Sequence, residues 1–136
     1  MTNTVLGLEV VNGTADIENV NIVGTDAYEA LGMLIGGEQC TITNVRISGV
    51  YDGVKITGSN NVLKSVQAVC LDNSKGSCGY YDLGTNTIYD MCFSEQFTEG
   101  FKMGPDTIST YNACGVKWNS NGNKKHCAFV AHTSTK

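Results

Sequence analysis

Apolar and polar residues along this chain follow neither a helical period nor a plain two-residue alternation; they recur in blocks. Five segments open with glycine and continue as a short apolar strand: Gly7-Leu-Glu-Val, Gly32-Met-Leu-Ile, Gly53-Val-Lys-Ile, Gly79-Tyr-Tyr-Asp-Leu and Gly100-Phe-Lys-Met. Their leading glycines lie 25, 21, 26 and 21 residues apart, and each strand is closed by a further glycine at 13, 36, 58, 84 and 104. A second column follows each strand, opening at Ile17, Ile42, Leu63, Ile88 and Ile108, with apolar residues at its first, fourth and sixth places.

One inward residue, a two-residue bend and then inward residues two apart describe two strands meeting at a corner. The bend holds Asn19, Asn44, Ser65, Asp90 and Thr110. Asparagine and aspartate tolerate the left-handed backbone of a sharp corner, and stacked asparagines can hydrogen-bond along a rod. Each repeat thus supplies three short strands, the third covering Val20–Ile22, Val45–Ile47, Val66–Ala68, Met91–Phe93 and Tyr111–Ala113. No single repeat could bury its apolar column alone, so the pattern predicts stacked coils. The expected fold is all-β: a right-handed parallel β-helix of about five coils over residues 1–118. Residues 119–136 follow as a tail, with a capping or subunit-contacting strand at Cys127–Ala131.

The stretch DGVKITGSNNVLKSVQAV, Asp52 to Val69, resembles the repeat of the pectate-lyase-type right-handed β-helix superfamily. That superfamily includes pectin-degrading enzymes, polysaccharide epimerases and bacteriophage tailspikes. The resemblance runs over roughly Gly7 to Trp118 and concerns architecture more than activity, since one fold hosts many functions. It implies a substrate lying along the first sheet beside the variable loops, and, through the tailspikes, a homotrimer.

Composition narrows the partners. Apolar residues make up 41% and charged residues 16%, which points to a packed chain rather than a disordered one. A net charge of −4 with Arg46 as the sole arginine argues against nucleic-acid binding. The opening MTNTVLGLEVVNG has no signal-peptide pattern and no segment has bilayer-spanning length, so no membrane insertion is expected. Six cysteines, at 40, 70, 78, 92, 114 and 127, are expected as reduced thiols, with Cys70–Cys78 the leading disulfide candidate. No CxxC pair supports a metal site, and no glycine-rich strand-to-helix loop supports a nucleotide, so the expected cofactor set is empty.

A glycoside hydrolase needs two carboxyl groups, roughly 5–5.5 Å apart for retention or 6.5–9.5 Å for inversion. Asp52 and Glu99 each precede a leading glycine and are expected on one edge two coils apart, with Cys78 between them. Stacking places their backbones about 10 Å apart. Asp26, Glu29, Asp72 and Glu95 fall in the neighbouring loops, and Lys55 and Lys102 point outward from the first sheet. The family's hydrolase signatures NTD, DD, GHG and RIK are absent, and Arg46 falls on the third strand, away from a lyase's basic position. His126 and His132 lie in the tail. For a glycan, the candidate contacts are Tyr28, Glu29, Tyr51, Asp72, Tyr80 and Tyr81, with Tyr89 and Phe97 as further aromatic candidates.

The functional expectation is a non-enzymatic, phage-type virion protein, a spike, fibre tip or capsid decoration. It would bind a surface glycan or reinforce the particle as a trimer beside other virion proteins, after synthesis in the host cytoplasm. The alternatives are a small polysaccharide depolymerase using Asp52 and Glu99 as its acid and base, or an extracellular bacterial adhesin fragment.

Overall fold

The computed structural model describes residues 6–24, 30–70, 78–118 and 127–131. The described residues form only strands, turns and bends. In chain order these strands are β1 (Leu6–Val10), β2 (Asp16–Glu18), β3 (Asn21–Val23), β4 (Leu31–Ile35), β5 (Thr41–Ser48), β6 (Asp52–Ile56) and β7 (Val62–Val69). They continue as β8 (Cys78–Asp82), β9 (Thr87–Asp90), β10 (Phe93–Glu95), β11 (Glu99–Met103), β12 (Ser109–Asn112), β13 (Gly115–Lys117) and β14 (Cys127–Ala131). Every pairing is parallel, and each strand pairs with its counterpart one repeat away. The chain is therefore a parallel β-helix, as the repeat predicts.

One sheet has the order β1-β4-β6-β8-β11-β14 and collects the glycine-led strands. The other collects the second and third legs of each rung, which in β5 and β7 run together as single bent strands of eight residues. The strand expected at Cys127–Ala131 stacks in parallel on β11 as a sixth passage through the first sheet.

The leading glycines are explained by crowding where the third leg turns into the first sheet. A Cβ on Gly53 would lie 2.8 Å from the Ala68 Cβ, and one on Gly100 would lie 2.7 Å from Val116 Cγ2, closer than carbon atoms pack. The Asn19–Asn44 corner forms as expected: both residues have positive φ, 57° and 53°, and Asn44 Nδ2 donates to Asn19 Oδ1 at 2.7 Å. Asn44→Val should cost about 1–2 kcal/mol, because a β-branched residue is strained there. A urea midpoint equal to that of the parent chain would contradict the corner.

In the last two rungs the register differs from the sequence expectation. Ile17, Ile42 and Leu63 do stack inward in register, but Leu63 is followed by Tyr89 and then Tyr111. Ile88 and Ile108 face outward, 40% and 66% exposed. The corner residues of these rungs are Met91 and Ala113, with φ of 53° and 52°, in place of Asp90 and Thr110. The third legs accordingly run at Phe93–Glu95 and Gly115–Lys117. The physical reason is ring burial. Tyr89 stacks on Tyr111 at 4.8 Å and meets Tyr80 and Phe101 edge-on. Enclosing Tyr89 and half-burying Tyr111 removes more apolar surface from water than the smaller isoleucines would, and offsets a left-handed Met and Ala.

The core therefore has two zones. Rungs two and three are filled by aliphatic side chains, among them Met33, Ile35, Ile42, Ile47, Val54, Ile56 and Leu63. Rungs four and five are filled by aromatic rings, with Tyr80 stacked on Phe101 at 4.6 Å, and the half-exposed Phe129 of β14 covers Phe101 at 5.1 Å. A further positive-φ corner, which the sequence reading did not single out, comprises Gly13, Gln39, Asn60, Asn86 and Asp106. Its signal lay in the turn-forming Gly13, Asn60 and Asn86 just before each second leg, and Asn86 Nδ2 donates to Asn60 Oδ1 at 3.4 Å.

Candidate functional site

The glycine-led sheet turns one face outward, and its register aligns two rows of residues along that sheet, each led by a leucine in rung two and mainly polar beyond it. The first row reads Leu31, Asp52, Cys78, Glu99, and the second reads Leu34, Lys55, Tyr81, Lys102. Asp52 and Glu99 thus occupy the same edge two rungs apart with Cys78 between them, the juxtaposition expected from the sequence.

The groups in these rows hold one another. Lys102 Nζ lies 3.5 Å from Glu99 Oε1, with both side chains about one-quarter exposed (25% and 24%). Asp52 Oδ1 accepts from the Cys78 backbone N–H at 3.0 Å. Burial raises the Asp52 carboxyl above its ordinary value of 3.8; the Cys78 N–H, Lys55 and Lys102 oppose the rise, and Glu99 adds to it. The Cys78 side chain between them is held in its thiol form. Burial, with Asp52 and Glu99 nearby, pushes its thiol far above the usual range, and Sγ lies 3.1 Å from the Tyr80 carbonyl.

Tyr81 sits between the two lysines, with Lys55 Nζ 5.9 Å and Lys102 Nζ 5.0 Å from its ring centroid. Both contacts are within cation–π range. Ammonium groups flank the ring along the rod, so it is less available for sugar stacking than an isolated tyrosine. The face therefore offers charges and hydrogen-bonding groups more than an open aromatic platform.

The remaining candidates are distributed elsewhere. Tyr80 does not share the outer face: it is fully buried, with its hydroxyl 2.8 Å from the Val66 carbonyl and 3.0 Å from that of Phe93. Tyr89 and Phe97 are likewise interior. Tyr51 is half-buried at the approach to β6, its N–H donating to the Ala30 carbonyl at 2.9 Å. Glu95 lies on the third leg rather than beside Asp52 and Glu99, 3.5 Å from Gln67 Nε2 and 3.9 Å from Lys117 Nζ. Tyr28, Glu29 and Asp72, together with Asp26, His126 and His132, lie outside the described residues. Among those described, no cluster of His, Cys, Asp and Glu could hold a metal ion.

A feature the sequence reading passed over is a groove along the asparagine corner, lined by Asn19, Asn21, Asn44, Arg46, Ser65 and Gln67. Arg46 Nη1 donates to Gln67 Oε1 at 2.7 Å across adjacent third legs. The sequence signal was the recurrence of amide side chains at the corner, which the pattern assigns to the turn and to stacking along the rod.

Fold and site together define the class: a parallel β-helix with a polar, internally paired outer face, compatible with the β-helix superfamily. Compared with protein-family models, curated proteins and solved structures, the chain has no significant match.

Proposed function

We propose that this chain is a non-enzymatic glycan-binding module of the tailspike kind, which engages a surface saccharide with the outer face of its glycine-led sheet. The observation that carries this reading is the in-register set Asp52, Glu99, Lys55, Tyr81 and Lys102 on one rigid sheet. Donors and acceptors already held by one another lose little freedom when a hydroxyl-rich ligand adds its own hydrogen bonds. The sequence lacks the NTD, DD, GHG and RIK signatures of the superfamily's hydrolases, which favours binding over turnover. The likeness of Asp52–Val69, now β6 and β7, to the pectate-lyase-type repeat supports the tailspike comparison. The exposed apolar residues Ile88, Met91, Phe93 and Ile108 on rungs four and five offer contact area for a homotrimer within a virion.

A hydrolytic reading has one observation in its favour: the raised, half-buried Asp52 carboxyl stands two rungs from the lysine-paired Glu99. That asymmetry suits an acid–base pair, and stacking puts the two backbones about 10 Å apart, near the inverting separation.

A glycan array probed with the full chain separates the two. Binding that falls at least tenfold in Lys102→Ala, with no reducing ends released from the bound polymer, is the expected result. Release of reducing ends that is abolished by Asp52→Asn, and that declines as pH rises through the raised Asp52 value, would replace binding with hydrolysis. Absence of binding to any glycan would remove the saccharide reading, and light scattering that shows a monomer would remove the trimer.

A further inference from the structure

The inward place just after the second-to-third-leg corner is held by Val20, Val45 and Val66 in the first three rungs, and by Cys92 and Cys114 in the next two. Backbone bonds bracket the cysteine pair: Gly115 N–H donates to the Cys92 carbonyl at 3.1 Å, and Met91 N–H to the Asn112 carbonyl at 2.9 Å. Adjacent strands bring stacked residues to about 4.8 Å, inside the roughly 4.4–6.8 Å Cα separation that disulfides span. Both thiols lean the same way along the rod, Cys92 Sγ 3.4 Å from the Leu63 carbonyl and Cys114 Sγ 3.5 Å from that of Tyr89. Cys92 and Cys114 are free thiols, as is Cys78, one half of the pair favoured by sequence.

We infer that Cys92 and Cys114 are a redox couple, and that a low-molecular-weight disulfide such as oxidised glutathione converts them to a bond stapling rung four to rung five. Cys114 is the thiol an oxidant reaches. It is partly exposed, and among the described residues its strand β13 pairs only with β10, whereas Cys92 is fully buried. Cys114 loses its proton to solvent and its thiolate attacks one glutathione sulfur, giving a mixed disulfide and one glutathione thiolate. Cys92 then loses its proton and attacks the Cys114 sulfur, closing the protein disulfide and releasing the second glutathione. Two protein thiols are oxidised and one glutathione disulfide is reduced to two thiols. Burial pushes the Cys92 thiol up to about 12 and raises Cys114, so the exchange is slow at neutral pH and quickens with alkalinity. The closed loop contains β11, which carries Glu99 and Lys102.

The folded full chain is incubated with excess oxidised glutathione at mildly alkaline pH, alkylated, and digested without reduction. The expected product joins the Cys92 and Cys114 peptides, lighter than their sum by two hydrogens, and amide exchange slows in β11. Cys92→Val and Cys114→Val, which install the residue of the earlier rungs, should each abolish the crosslink. Recovery of both cysteines as alkylated thiols, glutathione retained on Cys114, or a crosslink to any other cysteine would overturn the assignment. Unchanged exchange in β11 would overturn the stapling role.

Discussion

Tyr80→Ala should destabilise the chain by about 3–5 kcal/mol, while Tyr81→Ala, one residue along the same strand, should cost under about 1 kcal/mol. Tyr80 is fully enclosed, stacked on Phe101 at 4.6 Å and edge-on to Tyr89 at 5.7 Å, so truncation empties the middle of the aromatic zone. It also leaves the Val66 and Phe93 carbonyls without the hydroxyl that faces them. Tyr81 looks out between Lys55 and Lys102, and its loss forfeits two partly solvated cation–π contacts and little packing. Tyr80→Phe isolates the hydroxyl and should cost about 1 kcal/mol. Urea midpoints of the three variants decide the matter. Equal costs for Tyr80→Ala and Tyr81→Ala would mean that β8 does not turn these faces inward and outward.

That one-residue distinction marks where the sequence stops being sufficient. The glycine-led strands were legible because their signal is steric. Gly53 and Gly100 have no room for a Cβ, so glycine recurs whatever else the rung contains. The corner was legible where amides mark it, at Asn19 and Asn44. In rungs four and five the same reading chose the aliphatic Ile88 and Ile108 as inward residues, since a column begun by Ile17, Ile42 and Leu63 invites another branched residue. The choice depends instead on Tyr80 and Phe101, a sheet away, whose rings pack against Tyr89 and Tyr111. A one-residue slip in a strand exchanges its two faces, so a packing preference outside the local pattern decides the register. The pairing of Asp52 with Glu99 across Cys78 was legible because it depends only on the glycine spacing. The Lys102–Glu99 contact and the lysine flanks of Tyr81 require side-chain directions that spacing does not supply.

Asp82 is the other place where the interior departs from an apolar pattern, and it carries the second large expected effect. It occupies the inward column of Ile35, Ile56 and Met103, yet is fully buried as a carboxylic side chain. Its Oδ1 accepts from the Gly84 N–H at 2.8 Å, and its Oδ2 from the Tyr89 hydroxyl at 3.0 Å and the Ser109 hydroxyl at 2.6 Å. These bonds tie the first sheet to the second leg in two successive rungs. Asp82→Leu restores the aliphatic pattern but leaves two buried donors and the half-buried Ser109 hydroxyl without an acceptor, each at about 1–3 kcal/mol, so the variant should lose about 3–5 kcal/mol despite its added apolar volume. Tyr89→Phe and Ser109→Ala remove one donor each from a buried carboxyl group and should cost about 1.5–3 kcal/mol apiece. The combined variant Asp82→Leu, Tyr89→Phe, Ser109→Ala leaves only the Gly84 N–H unanswered. It should therefore be more stable than Asp82→Leu alone, because an apolar replacement of a whole buried network costs less than breaking it. Equilibrium urea unfolding of the four variants tests this as a cycle. A triple variant that falls by the sum of the three single losses would show that the groups do not act as one network.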